Sequence, residues 1–235
     1  MESHLNKYGQ PVGSPLAGWQ GAKSPQAIVL RGQYCRLEPV NASRHAKALY
    51  DAHQQSPDAR HWSYLPYGPF HSYEDYRDFL GDLAQSKDPL HYAVIDLSTE
   101  VALGTVALMR MDTTNGVIEV GHVVYSPAMQ RTRLSTEVMY LLLNYVFSDL
   151  GYRRLEWKCD ALNAPSRAAA ERFGFRFEGT FRQLQVTRGR NRDTAWHSII
   201  DSEYAALTSA YKSWLSVSNF DEAGNQILKL ADCMK

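Results

Sequence analysis

Val117-Ile118-Glu119-Val120-Gly121-His122-Val123-Val124-Tyr125 opens the stretch, running to Phe177, on which the fold turns. The run is apolar and rich in β-branched residues, which predicts a strand. Ser126-Pro127-Ala128-Met129-Gln130 then punctuates the chain as a turn. Beyond it Val138, Leu141, Leu142, Tyr145 and Val146 recur at helical spacing until Gly151, a residue suited to end a helix. Leu155-Glu156-Trp157-Lys158-Cys159 predicts a second strand. Asn163-Ala164-Pro165-Ser166 begins a short helix that Gly174 ends before Phe175-Arg176-Phe177. Strand, helix, strand, helix, strand at these lengths is a βαβ-type unit, so the two long strands should lie parallel.

Such a unit sets a helix N-terminus just beyond the carboxyl end of the first strand, where free N–H groups and the positive dipole end attract anions. That position here carries Gln130-Arg131-Thr132-Arg133-Leu134-Ser135-Thr136, with three hydroxyls and two guanidiniums. Composition and position both point to phosphate.

The stretch resembles the core of the GCN5-related N-acetyltransferase (GNAT) superfamily, and most of all its ribosomal-protein-alanine-acetyltransferase branch. The superfamily's pyrophosphate loop reads Gln/Arg-x-x-Gly-x-Gly/Ala, and Gln130, Arg133 and Ser135 stand at its three marked places, both glycine places being filled by larger residues. Glu119 sits eleven residues before Gln130, where many members carry a general base. Asn163-x-x-Ser166, with Arg167-Ala168-Ala169-Ala170-Glu171-Arg172-Phe173-Gly174-Phe175 and Glu178-Gly179, is the most specific part; the resemblance covers roughly residues 28–204.

The resemblance implies a mixed α/β (α+β) fold: a central, mostly antiparallel sheet with one splayed parallel strand pair, flanked by helices. It implies acetyl-CoA as donor, with the pyrophosphate held by Gln130, Arg131, Thr132, Arg133, Leu134 and Ser135. A bulge in the central strand would free backbone at Val123 or Val124 to polarise the thioester. Asn163 would contact pantetheine and Ser166 would protonate the departing thiolate. Asn163 and Pro165 equally suit a plain helix cap and first turn. Relatives that modify ribosomal proteins carry a carboxylate where Gln185 stands, and an amide cannot serve as base.

Read from the residues, Glu119 inside a β-branched run should be half buried, with its pKa raised toward neutrality. His122 is a second titratable candidate, expected on the opposite face from Glu119 by strand alternation. Trp157 and Lys158 flank Cys159, and Lys158 suits either a phosphate or a solvated face. The loop Arg60–Phe70 holds Trp62, Tyr64, Tyr67 and Phe70. With His122 these are the expected acceptor-binding residues, since aromatic faces attract cations; the same rings would also serve as a cap on the core. Arg188, Arg190 and Arg192, in a loop expected over residues 188–193, suit an acidic group.

Composition bounds the remaining classes. With 25 Lys plus Arg against 25 Asp plus Glu, the net charge is zero, which disfavours nucleic acid as partner. Cys35, Cys159 and Cys233 are too scattered for a disulfide framework or metal site, so no metal is expected. No run is apolar enough to span a membrane, and Met1-Glu2-Ser3-His4 lacks the regions of a secretion signal, so a cytoplasmic protein without membrane partner is expected.

Residues 1–27 read as a polar extension, either disordered or an arm anchored by Tyr8, Leu16 and Trp19. Residues 28–204 read as one N-acetyltransferase domain, and 205–235 as a terminal helix and a loosely specified tail. An exposed final strand and terminal helix could pair subunits as a homodimer. The expected activity is acetyl-CoA-dependent acetylation of a primary amine, on a small molecule or a peptide or protein N-terminus. The alternatives are a non-catalytic acyl-CoA-binding module on the same fold, and a Rossmann-type nucleotide binder, which the missing glycine fingerprint opposes.

Overall fold

The computed structural model describes residues 3–235. A small antiparallel hairpin, β1 (Ser3–Leu5) and β2 (Pro11–Gly13), precedes the main body. Then follow β3 (Leu30–Arg31), β4 (Cys35–Pro39), α1 (Ala42–Gln54), a 3-10 turn at Arg60–Trp62, α2 (Tyr73–Gln85), β5 (Leu90–Asp96), β6 (Ala102–Asp112) and β7 (Val117–Tyr125). After these come α3 (Arg133–Leu143), which continues as a π-helical turn over Asn144–Asp149, then β8 (Arg154–Asp160) and α4 (Ala164–Arg172). The chain closes with β9 (Arg176–Thr187), β10 (Arg190–Ile200), α5 (Asp201–Leu215) and α6 (Leu230–Cys233).

Eight strands form one sheet in the order β3-β4-β5-β6-β7-β8-β10-β9. β7 and β8 are parallel, and every other neighbouring pair in the sheet is antiparallel. The last strand in sequence lies inside the sheet, whose edges are β3 and β9. The final strand is therefore paired on both sides, not exposed as the sequence suggests.

Strand alternation feeds two cores. Ile118 and Val120 of β7 join Val138, Leu142 and Val146 of the α3 region and Tyr211 and Trp214 of α5 on one face. Ala93, Ile95 and Val124 join Leu49 of α1, Leu80 of α2 and Trp62 on the other. Glu137, buried at 2% exposure on α3, crosses to the β3–β4 turn. Its carboxylate accepts the N–H groups of Gln33, Tyr34 and Cys35, each at 2.7 Å. A buried carboxylate needs such partners. Gly32 makes room for it, because a Cβ there would stand 2.4 Å from the carboxyl carbon.

Three segments depart from the sequence reading. The β9–β10 connection is two residues, Arg188 and Gly189, both at positive φ (49° and 71°), the backbone a type I′ hairpin turn requires. Of the arm's expected anchors only Trp19 docks, donating to the Thr114 carbonyl at 2.9 Å; Tyr8 and Leu16 are exposed. The tail after α5 is tied down by Asn219, whose amide donates to the Trp214 and Leu228 carbonyls and accepts the Leu228 N–H.

Candidate active site

β7 and β8 pair only from Val117↔Arg154 to Val120↔Trp157. Beyond that register both strands continue, β7 to Tyr125 along β6 and β8 to Asp160 along β10, so they diverge. On β7 the divergence coincides with a bulge. Thr105 faces Val124 and Ala107 faces Gly121, which leaves Val106 opposite both His122 and Val123. His122 takes a positive φ of 49° to make it. The gap opens into a cleft of about 2130 Å³, lined by Glu119 to Tyr125, the Gln130–Ser135 loop, Trp157 to Asp160, Asn163, Ser166 and the β9–β10 hairpin. Backbone polar groups that lack a strand partner in such a gap call for a ligand with its own amides.

At the cleft mouth, Thr132 stands at the N-cap of α3 but does not cap it; its hydroxyl donates to the Met129 carbonyl at 2.7 Å. Ser135 likewise donates its hydroxyl to the Thr132 carbonyl at 2.8 Å. Both hydroxyls therefore shape the loop, and the first N–H groups of α3 have no side-chain cap. Gln130 turns its amide back onto the Tyr125 carbonyl at 2.9 Å, and Arg131 supplies the left-handed residue of the turn at φ 61°. Arg133, at the glycine place, swings its guanidinium over the Phe220 ring at 3.8 Å and toward Tyr34 at 5.4 Å. Its bulk is drawn away against the tail. Leu134 is buried beside it and Ser135 is a small residue, so the substitutions leave the helix N-terminus open.

Glu119 is 5% exposed and lies between cations. Its Oε2 is 3.0 Å from Lys158 Nζ and 3.1 Å from Arg110 Nε. Lys158 also reaches Glu156 at 2.6 Å, which Arg154 contacts at 2.8 Å. Lys158 is thus a buried member of an ion-pair chain, neither a solvated lysine nor a free phosphate ligand. Burial raises the Glu119 carboxyl above its ordinary range, and Lys158 and Arg110 oppose that without reversing it.

His122 lies on the same face as Glu119, contrary to simple alternation, because the bulge inserts a residue and resets the parity. It stacks on His91 at 5.3 Å and meets the edge of Tyr67 at 5.5 Å. Burial, with Arg110 and Arg192 nearby, lowers its pKa, so it is neutral near pH 7.

Asn163 Oδ1 accepts the Ser166 N–H at 3.2 Å and so caps α4. Ser166 Oγ accepts the Trp157 indole N–H at 3.0 Å. An indole only donates, so Ser166 keeps its own proton to give. Burial pushes the adjacent Cys159 thiol up, leaving it protonated rather than a thiolate nucleophile.

The aromatic loop divides. Tyr64 lines the cleft and donates to the Leu162 carbonyl at 3.2 Å. Trp62, Tyr67 and Phe70 instead pack into the α1–α2 core, Trp62 at 5.4 Å from Phe70 and Tyr67 at 4.7 Å from Phe79. Their role as cleft-lining acceptor contacts is thereby withdrawn; Tyr67 touches the cleft only through His122. Sequence reasoning missed the tail, whose Phe220, Gly224, Asn225 and Gln226 line the cleft together with Arg133.

An acetyltransferase (GNAT) domain model matches residues 35–176, which is most of the chain and all of the splayed pair with its loop. The chain belongs to the GNAT acetyltransferase family. A GCN5-related N-acetyltransferase from Brucella melitensis, solved by crystallography, is 44% identical and superposes with a TM-score of 0.91 over 93% of this chain and 99% of its own. An uncharacterized N-acetyltransferase, p20, of Bacillus licheniformis is 26% identical over 60% of this chain and 81% of its own length. YdaF of Bacillus subtilis, whose name assigns it provisionally to ribosomal N-acetylation, is 25% identical over 72% of this chain and 90% of its own. As a GNAT protein the chain is an acetyltransferase with the mixed sheet and single parallel pair of that fold. No described helix is long and apolar enough to cross a membrane.

Proposed function

We propose that this GNAT protein transfers the acetyl group of acetyl-CoA directly to a primary amine, on a small molecule or a peptide or protein N-terminus. The observation that carries the reading is the His122–Val123 bulge at the mouth of the β7–β8 gap, with an uncapped α3 N-terminus beside it.

Acetyl-CoA, when bound, supplies the acetyl group as a thioester. The residues fit it: the N–H groups of Arg131 to Ser135 and the Arg131 guanidinium suit a pyrophosphate, and the unpaired edges of β7 and β8 suit pantetheine amides. Gln130, Thr132 and Leu134 hold the loop in shape, and Arg133 closes its outer side against Phe220. Backbone at Val123 and Val124, fixed by the bulge, would hydrogen-bond the carbonyl oxygen; a preorganised donor of this kind is worth roughly 3 kcal/mol. Glu119 would take the ammonium proton, its raised pKa bringing it nearer the operating pH. Ser166 would return a proton to the leaving sulfur. Asn163 would orient the cofactor while capping α4.

The test is thermal unfolding of the full chain with acetyl-CoA at about a hundredfold over its Kd. Binding then adds about 2.7 kcal/mol, roughly a 5–10 °C rise in Tm for a chain of this size. That rise, absent with ATP or NAD and joined by CoA release when amines are added, supports the reading. Binding with no amine ever acetylated would leave a non-catalytic acyl-CoA module instead.

A further inference from the structure

We propose that the accepted amine carries a carboxylate and that Arg192 recognises it. The inference rests on the amine-acetylation reading above and names its substrate class.

The hairpin arginines are sorted by the fold. Arg188 donates to the carbonyls of Tyr67 at 2.7 Å and of Gly68, so it is spent fastening the hairpin to the aromatic loop. Arg190 is exposed and stands outside the cleft wall. Arg192 lines the cleft, and its Nε is buried with no hydrogen-bond partner. A guanidinium cannot shed its charge, so buried N–H groups left unpaired are costly until something accepts from them.

No carboxylate among the described residues fills that need. Glu119 is held by Lys158 and Arg110, and Glu156 by Lys158 and Arg154. Asp193 accepts from the Gln183 backbone and the Asn191 amide. Directly across the ladder from Arg192 stands Gln185, also in the cleft wall. A glutamate at that register position would neutralise the guanidinium; the amide leaves its charge facing the cleft. Arg192 lies close enough to His122 and Cys159 to bias both titrations, which puts it beside the bulge and the β8 end rather than at the phosphate loop. One unpaired planar fork matches one carboxylate, held bidentately. An acceptor with its ammonium served by Glu119 and its carboxylate by Arg192 is zwitterionic, in the manner of an amino acid.

The experiment follows CoA release by the full chain from acetyl-CoA, with L-amino acids compared against their carboxamides as acceptors. Wild type should favour the carboxylates by about tenfold or more in kcat/KM, the scale of a charged hydrogen bond. Arg192→Gln should bring the ratio near one, mainly through KM; Arg192→Lys should recover part of it, and Gln185→Glu should reduce it. Carboxamides used as well as the acids, or a preference that survives Arg192→Gln and Arg192→Lys, overturn the inference alone. So does loss of acetyl-CoA stabilisation in Arg192→Gln, which would make Arg192 a cofactor residue. No acetyl-CoA stabilisation and no CoA release from any amine in wild type would remove the parent reading together with this one.

Discussion

Glu119 shows how burial and charge compete at one residue. Desolvation raises its carboxyl and two cations pull the other way, with burial the larger. A base must be ionised to act, so the rate should fall as pH drops through that raised value; kcat against pH checks it. Glu119→Gln should lower kcat by roughly 10²–10⁴ while acetyl-CoA still raises Tm. Ser166→Ala removes both a proton donor and the partner of the Trp157 indole. Single-turnover CoA release should slow in it, and an unchanged single-turnover rate would exclude Ser166 as the acid.

Two buried histidines carry a separate pH signature. His53, packed against His61, Trp62 and Tyr76, and His91, stacked on His122, are each lowered to about 4, chiefly by burial. Their unfolded pKa is near 6.5, so the unfolded chain binds more protons between those values. The stability they contribute is full above about pH 6.5 and is lost progressively down to about pH 4. Denaturant midpoints across that window should fall more gently in His53→Leu than in wild type.

At the scale of elements, α4 separates capping from ligand binding. Asn163→Ala should cost about 1 kcal/mol through the lost cap, a Tm drop of roughly 2–4 °C. Asn163→Asp keeps the acceptor oxygen and should restore Tm, yet it lacks the amide N–H₂. If Asn163 also holds the cofactor, the acetyl-CoA-induced rise in Asn163→Asp will be smaller than in wild type. Leu142, fully buried on α3, tests the packing beneath the site; Leu142→Ala should cost about 2–5 kcal/mol.

Across the whole molecule, what was legible in sequence followed periodicity. The β7-α3-β8-α4 run reads off its β-branched run and helical spacing, β7 giving Ile118 and Val120 to one core and Val124 to the other. The parity of His122 was not legible, since a bulge is decided by what lies opposite, here Val106, and not by the strand's own residues. The inward turn of Trp62, Tyr67 and Phe70 was hidden similarly: proline and glycine mark the loop as irregular but say nothing of which way its rings face. The tail escaped because a single amide, Asn219, organises it instead of an apolar repeat. Arg133 looked like an obstruction until Phe220, 87 positions later, supplied a surface for it.

The Glu137 clamp on the β3–β4 turn has a consequence for thiol chemistry. Cys35 lies under that clamp, and burial together with the Glu137 charge pushes its thiol far above the usual cysteine range. Cys233 is free and partly accessible. An alkylating reagent should therefore modify Cys233 promptly and reach Cys35 only when the β3–β4 corner lifts off α3. The slow phase of labelling becomes a clock for local opening over the first turns of α3, the same end of the helix that faces the cleft, readable without any substrate in hand.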